Sequence, residues 1–296
     1  MNFPPFFEKR KQLIDSFINK ELHCSDPDIN ILMESARYSS LEGGKRIRGS
    51  ICLSIGQIFG SEYSFVPLAA ALELIHTYSL IHDDLPVMDD DDYRRGKLAN
   101  HKVYGEAMAI LSGDFLMTKA YQIISQIAFR PENIVRTINY LSKQIGIKGM
   151  VGGQVVDIQN AGKKINPETL AKMHSLKSGA FMEAAFITPV VLSTGKTDYG
   201  IPHFSLKAIA QNCGLLFQII DDILDETSSS KKMGKNKGSD KKLNKPTYTS
   251  ILGLEESQNL AKKIYKETNL MLSHCSDKIL TTDLNTLIEF IYNRDH

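Results

Sequence analysis

Apolar residues recur at three- and four-residue spacing along most of this chain. Segments 68–82, 107–127, 132–145, 167–192, 205–224 and 254–271 keep that rhythm, which predicts helices that are buried along at least one stripe. Alternating β-branched runs are short and no Asn-Gly or Asp-Gly pair separates two of them, so hairpins are not expected. Helix boundaries agree with the periodicity. Asn166-Pro167-Glu168 supplies an N-cap followed by proline at the first helical position, and Arg130-Pro131-Glu132 reads as a break before a new helix. The expectation is an all-α protein forming a single domain over 1–296, with roughly ten or more helices packed as a bundle.

Composition narrows the function. With 42% hydrophobic and 23% charged residues over 296 positions, the chain can bury a large core, and disorder is excluded for most of it. Its 35 Lys+Arg balance 34 Asp+Glu, which argues against a nucleic-acid partner, since that needs a cation surplus. No apolar run of about 18 residues stands out and the opening MNFPPFFEKR lacks the order of a secretory signal, so no transmembrane segment is expected and the location is expected to be cytoplasmic. Cys24, Cys52, Cys213 and Cys275 are scattered without a C-x-x-C pair, as reduced thiols would be.

The chemistry lies where the helical pattern stops. The first cluster is His82-Asp83-Asp84-Leu85-Pro86-Val87-Met88-Asp89-Asp90-Asp91-Asp92; Pro86 disfavours the helical region for Leu85, so the helix should end there. Aspartates at a helix C-terminus face the negative end of the macrodipole, and so many together call for a cation. The second cluster is Asp221-Asp222-Ile223-Leu224-Asp225, in which Asp221 and Asp225 share a helical face and repel each other. Either one alone reads as solvated surface, and neither has EF-hand spacing. Together, two acidic segments some 130 residues apart can face each other across a bundle and hold Mg²⁺, which takes hard oxygen ligands and leaves room for phosphate oxygens.

Matching cations are present. Gly43-Gly44-Lys45-Arg46-Ile47-Arg48 puts Lys45 and Arg48 on one side of a helical turn beside glycines that let backbone N–H groups approach an anion. Arg94 and Arg95 follow the first acidic run, and they serve either a substrate or the neighbouring aspartates. His76, two turns before Asp83, is either a pocket group or a buried core histidine. Lys177 lies in an apolar helix and needs an anion, while Gln154 and Asp157 share a face that can join the polar lining. The lysine-rich stretch 228–245 is a loop, either a solvated segment or a lid whose Lys235 and Lys245 reach phosphate.

In order, GGKRIR, IHTYSLIHDDLPVMDDDDYRRG, GEAMAILSGD, GGQVVD, HSLKSGA, FQIIDDILD and the MGKNKGSD-to-NKPTY loop resemble the trans-isoprenyl diphosphate synthases, most closely the bacterial farnesyl diphosphate synthases, over almost the whole chain. The resemblance implies the all-α isoprenoid synthase fold around a central cavity, a homodimer, and three Mg²⁺ (or Mn²⁺) between the aspartate motifs. It implies Asp83, Asp89 and Asp221 as metal ligands, with Asp84, Asp222 and Asp225 acting beside or through water. It assigns Lys45, Arg48, His76 and Arg95 to isopentenyl diphosphate and Arg94, Lys177 and Lys235 to the allylic diphosphate, with Gly44 and Lys245 as further substrate-binding residues. By the same resemblance Ser178 and Gln218 match positions that face the allylic carbon chain and, with Lys177, would make up the catalytic set. The implied reaction is ionisation, condensation and elimination, with released diphosphate removing the proton.

Tyr78 and Ser79 precede Asp83 by about one helical turn, roughly 6 to 8 Å along the axis, so a bulky Tyr78 should close the floor of the chain tunnel. By the resemblance that predicts a farnesyl product, with geranyl or geranylgeranyl diphosphate as the alternative. A terpene cyclase would share the ionisation without needing the Lys45/Arg48/His76/Arg95 set, and a silent partner subunit would not need both aspartate motifs. The sequence departs from the family pattern at Gly49 (often Pro), Leu98-Ala99 (often Pro-Thr) and Ser178 (often Thr).

Overall fold

The computed structural model describes residues 5–41, 43–196, 203–227 and 246–294, without the side chains of 203–205; Lys235 and Lys245, and the expected lid with them, lie outside the described residues. The chain is all-α. Helices α1 (Pro5–Glu21), α2 (Asn30–Leu41), α3 (Ile47–Gly56), α4 (Val66–Asp83), α5 (Asn100–Tyr104), α6 (Glu106–Ser125), α7 (Pro131–Ile145), α8 (Met150–Asn160), α9 (Pro167–His174), α10 (Ala180–Thr194) and α11 (His203–Thr227) are followed by α12 (Tyr248–Leu252), α13 (Leu254–Ser273) and α14 (Lys278–Asn293).

Helices α4 and α10 are apolar around most of their circumference and therefore lie inside the bundle. Leu68, Leu72, Leu74 and Ile75 of α4 and Ala184, Phe186, Ile187 and Leu192 of α10 are fully buried. Helix α4 packs against α3 and α6, and α10 against α3, α7 and α11. The expectation that no segment is apolar enough to span a membrane needs correcting. Glu62–Asp83 and Pro167–Thr194 pass on length and hydropathy, but 72% and 78% of their apolar windows are buried inside the fold, as core helices require.

Several local readings hold. Asn166 caps α9 by accepting from the Thr169 N–H, and α4 ends at Asp83 with Pro86 beyond. The acidic run that follows is a wound turn rather than an open tail: Asp89 N–H donates to Asp83 O (2.9 Å) and Asp90 N–H to Leu85 O (3.1 Å). Two elements differ from expectation. Tyr93–Arg94 (β1) and Lys97–Leu98 (β2) pair antiparallel, with Arg94 opposite Lys97. Arg95 and Gly96 both have positive φ there (53° and 80°), so an Arg-Gly pair makes the turn for which Asn-Gly is the usual signal. Between α9 and α10, the single helix expected over 167–192 contains one π-helical turn, Ser175–Gly179. Such a turn inserts a residue and re-aims its side chains.

The π turn is held from both sides by glycines. A Cβ on Gly153 of α8 would lie 2.5 Å from the Lys177 Cα, and one on Gly214 of α11 would lie 2.8 Å from the Gly179 Cα. Bare backbone on the two flanking helices is what lets α8, the π turn and α11 pack in contact.

Candidate active site

A cavity of about 390 Å³ opens among α3, α4, α8, the π turn and α11. Asp83 from α4 and Asp221 from α11 both line it, so the two acidic segments meet across one space. Arg48, His76, Lys177, Ser178 and Gln218 share it, with Gln154 between them. The expected separation of seven residues between His76 and Asp83 on one helix therefore does aim both into the same cavity.

The electrostatics follow from burial. Desolvation raises the Asp83 pKa; Lys177 opposes this and Asp89 adds to it, so the carboxylate favours a nearby cation. Lys177 donates to Asp157 Oδ2 at 2.5 Å, which meets the need for an anion inside an apolar helix. Burial would lower the Lys177 pKa, but Asp157, Asp83 and Asp89 outweigh it and the ammonium is retained. His76 is pushed well below the usual histidine range by burial and then by Arg48, Arg95, Arg46 and Arg94, so it is neutral at pH 7. Arg48 is 8% exposed, its guanidinium lies 5.1 Å over the Phe181 ring, and its Nε has no hydrogen-bond partner. Both polar atoms of the Gln154 side chain are buried and unpartnered as well. Buried donors left over in a cavity wall point to a polar ligand.

Not every aspartate faces that space. Asp84, 2% exposed, accepts from Arg94 through both oxygens, and Arg94 also reaches Asp91 Oδ2 at 3.2 Å. Asp84, Arg94 and Arg95 line a second cavity of about 340 Å³ on the other side of α4. Asp222, 3% exposed, accepts from Gln218 Nε2 (3.0 Å) and from the Tyr248 N–H (2.8 Å), which ties α11 to the start of α12. Asp225 is half-buried on the same helix, and Asp89 is half-buried in the turn beside Asp83. Ser178 Oγ donates to Gln218 Oε1 at 3.1 Å.

The glycine-rich segment departs from the expected helical turn. Lys45 precedes α3 and is exposed, with its Nζ 5.0 Å from the Phe290 ring, while Arg46 sits at the helix N-cap in the left-handed region (φ 49°). A Cβ on Gly44 (φ 86°) would lie 2.9 Å from Arg95 Cζ, so the missing side chain lets that guanidinium rest on the backbone. Arg94 is thus committed to aspartates, as one of its two sequence readings allowed, and Arg95 joins the glycine-rich segment.

Sequence patterns gave no sign of Arg294. At the end of α14 its Nη2 lies 2.6 Å from Asp221 Oδ1 and 2.5 Å from Phe217 O, and its guanidinium stacks 3.8 Å from the Phe217 ring. Its position depends on how α14 packs on α11, some 70 residues away in sequence, and the lone basic residue in Tyr-Asn-Arg carries no motif.

No three acidic, His or Cys side chains converge tightly among the described residues. Asp83 and Asp221 supply hard oxygen donors on opposite walls, and a Mg²⁺ held by a few carboxylates takes its remaining ligands from water and phosphate. The donor set therefore fits such an ion when a diphosphate is present.

An all-α bundle that brings two acidic helix segments and a group of cations to one cavity is the architecture of the isoprenoid synthases. The chain belongs to the polyprenyl synthetase family, whose model matches residues 29–279, and it is a trans-prenyltransferase. It is 40% identical to a geranylgeranyl diphosphate synthase of Cyanophora paradoxa, with 100% of this chain and 97% of that protein aligned. It is 39% identical to a dimethylallyltranstransferase of Fischerella ambigua, covering 100% of this chain and 84% of the relative. Among solved structures, a geranyltransferase of Helicobacter pylori complexed with magnesium and isoprenyl diphosphate superposes with a TM-score of 0.85, at 30% identity over 99% and 100% of the two chains. An FPP/GFPP synthase from Zymomonas mobilis gives the same TM-score and identity over 97% of each.

Proposed function

We propose that this prenyltransferase condenses isopentenyl diphosphate with dimethylallyl and then geranyl diphosphate to give (2E,6E)-farnesyl diphosphate, acting as a single-domain, cytoplasmic homodimer that depends on Mg²⁺. The observation that carries the reading is the meeting of Asp83 and Asp221 with Arg48, His76 and Lys177 around one cavity. Asp83, Asp89 and Asp221 would hold the metal, which when bound neutralises charge developing on the leaving diphosphate. Asp84 and Asp222, whose oxygens are already engaged, position Arg94 and Tyr248 respectively.

The chain's own groups do the rest. Arg48 and neutral His76 hold the homoallylic diphosphate from the cavity wall, Lys45 and Arg95 approach it from the glycine-rich segment outside that lining, and Lys177 neutralises the allylic one from the opposite wall. Ser178 and Gln218 present oxygens to the allylic carbons, and their mutual hydrogen bond fixes where those oxygens point. Asp221 is engaged by Arg294, so this arginine has to yield before a metal reaches the carboxylate. Arg294→Gln is therefore expected to tighten Mn²⁺ binding, followed by electron paramagnetic resonance, by roughly three- to tenfold; unchanged affinity would rule out this competition.

Chain length rests on Tyr78, which lines the cavity at 8% exposure and meets the His82 ring edge-on at 5.7 Å. Burial raises its pKa to about 12, so it stays a neutral, bulky floor. A geranylgeranyl product is the second reading, because similar proteins such as those of Cyanophora paradoxa and Capsicum annuum are named for it. Product analysis with isopentenyl and dimethylallyl diphosphates decides between them, mostly C20 product sinking the farnesyl assignment. Tyr78→Ala removes the floor and is expected to shift the main product from C15 to C20; an unchanged C15 product would show that the floor lies elsewhere.

A further inference from the structure

Glu73 lies on α4 one turn before His76, is 2% exposed, and belongs to none of the motifs that point to the reaction. Its Oε1 accepts the Gly49 N–H at 2.8 Å, and its Oε2 lies 3.9 Å from Arg46 Nη1. The site side of α3 is crowded with positive charge. Arg46 is fully buried, Arg48 nearly so, and Arg95 rests against Gly44 just before the helix. Other carboxylates each serve part of this group: Asp15 accepts from Arg46 Nε, Asp221 acts on Arg48 and Asp84 on Arg95. Glu73 is common to all three, since it is the opposite charge that acts most strongly on both Arg48 and Arg95 and lies within ion-pair range of Arg46 without a hydrogen bond to it.

Burial lowers the Arg95 pKa to about 10, and Arg46 adds to that by repulsion, so the cations are held together against their own charge. A buried carboxylate acting on all three lowers that repulsion, and its bond to α3 fixes the backbone that carries Arg46 and Arg48. The Gly49 N–H sits in the first turn of α3, where no intrahelical acceptor exists, so the bond also fixes α3 to α4. Gly49 suits this bond in two ways. A proline would have no N–H, and any Cβ would lie 2.6 Å from Ile14 Cδ1 and 3.2 Å from Glu73 Cγ.

We infer that Glu73 is a positioning residue for the isopentenyl diphosphate site, holding the start of α3 and its arginines in register with His76 without touching substrate or metal. The inference rests on the proposed substrate reading of that wall. It is tested with the full-length chain by measuring KM for each substrate separately, together with isopentenyl diphosphate binding by calorimetry. Glu73→Gln keeps the acceptor for Gly49 and removes the charge; it is expected to raise KM for isopentenyl diphosphate about tenfold, with kcat and the KM for geranyl diphosphate nearly unchanged. Glu73→Asp keeps the charge but draws it away from Gly49, is the more conservative variant for folding, and is expected to fall between wild type and Glu73→Gln. Equal shifts in both KM values, or wild-type behaviour in both variants, overturns the inference. Lys45→Ala separates the two levels: if it leaves isopentenyl diphosphate binding intact, the substrate reading of the wall fails, whereas loss there with no effect at Glu73 rejects the positioning role alone.

Discussion

Replacing Asp221 with alanine is expected to lower kcat by roughly 10²–10³-fold or more, the range seen when one group stabilising transition-state charge is removed. Asp221 is 37% exposed at the cavity wall and pairs with Arg294, so the fold loses chiefly one ion pair at the edge of α11 and the milder attraction on Arg48. The Arg294 guanidinium, 7% exposed, is then left partly unpaired, and a modest loss of stability accompanies the kinetic effect. Asp83→Ala should behave alike, because desolvation and Asp89 raise the energy of its charged form by more than Lys177 and Arg94 lower it, and a further cation would relieve the remainder. Asp222→Ala supplies the contrast. Both of its oxygens are engaged, so its removal costs about 1–3 kcal/mol by stranding a buried Tyr248 N–H as well as the Gln218 amide. Steady-state kinetics beside thermal unfolding separates these outcomes, and wild-type turnover in Asp83→Ala or Asp221→Ala would refute their assignment as metal ligands.

Gly153→Ala is expected to be among the most damaging single changes outside the carboxylates. The added methyl would stand 2.5 Å from the Lys177 Cα and 2.8 Å from the Leu176 carbonyl carbon. Neither is the end of a flexible side chain, so α8 or the π turn has to move. Overpacking of this kind costs about 1–3 kcal/mol, more where backbone meets backbone. Any outward shift of Ser175–Gly179 carries Lys177 off Asp157 and Ser178 off Gln218, so activity should fall further than stability alone accounts for. Circular dichroism melting and kcat measured well below the melting temperature test this; an alanine variant with unchanged melting and turnover would mean that the close approach is not required.

Much of this arrangement was legible in the chain itself. Helical periodicity located the segments that became α4, α6, α7 and α11, and Pro86 and Asn166 placed the end of α4 and the start of α9, because these signals act within a turn of the residue that carries them. The acidic and basic inventory of the cavity was also visible in composition and order. What stayed hidden were features that depend on neighbours distant in sequence. Arg-Gly at 95–96 makes a hairpin although it is a weak turn signal, because strands and glycine-rich segment hold it there. The π turn lies where Gly153 and Gly214 let two other helices come into contact with it.

The division is sharpest among the aspartates. The sequence by itself determined that carboxylates cluster at two helix ends and that cations surround them, since helix periodicity and charge are properties of the local chain. Only the tertiary structure decided which of them face the cavity. Asp83 and Asp221 line it, Asp84 turns behind α4 to Arg94, and Asp222 is enclosed by Gln218 and Tyr248. Successive residues on a helix point about 100° apart, so Asp-Asp pairs split between two environments. Which environment is solvent, ligand or buried partner is set by the helix packed opposite, and for Glu73 and Arg294 that contact comes from 24 and more than 70 residues away.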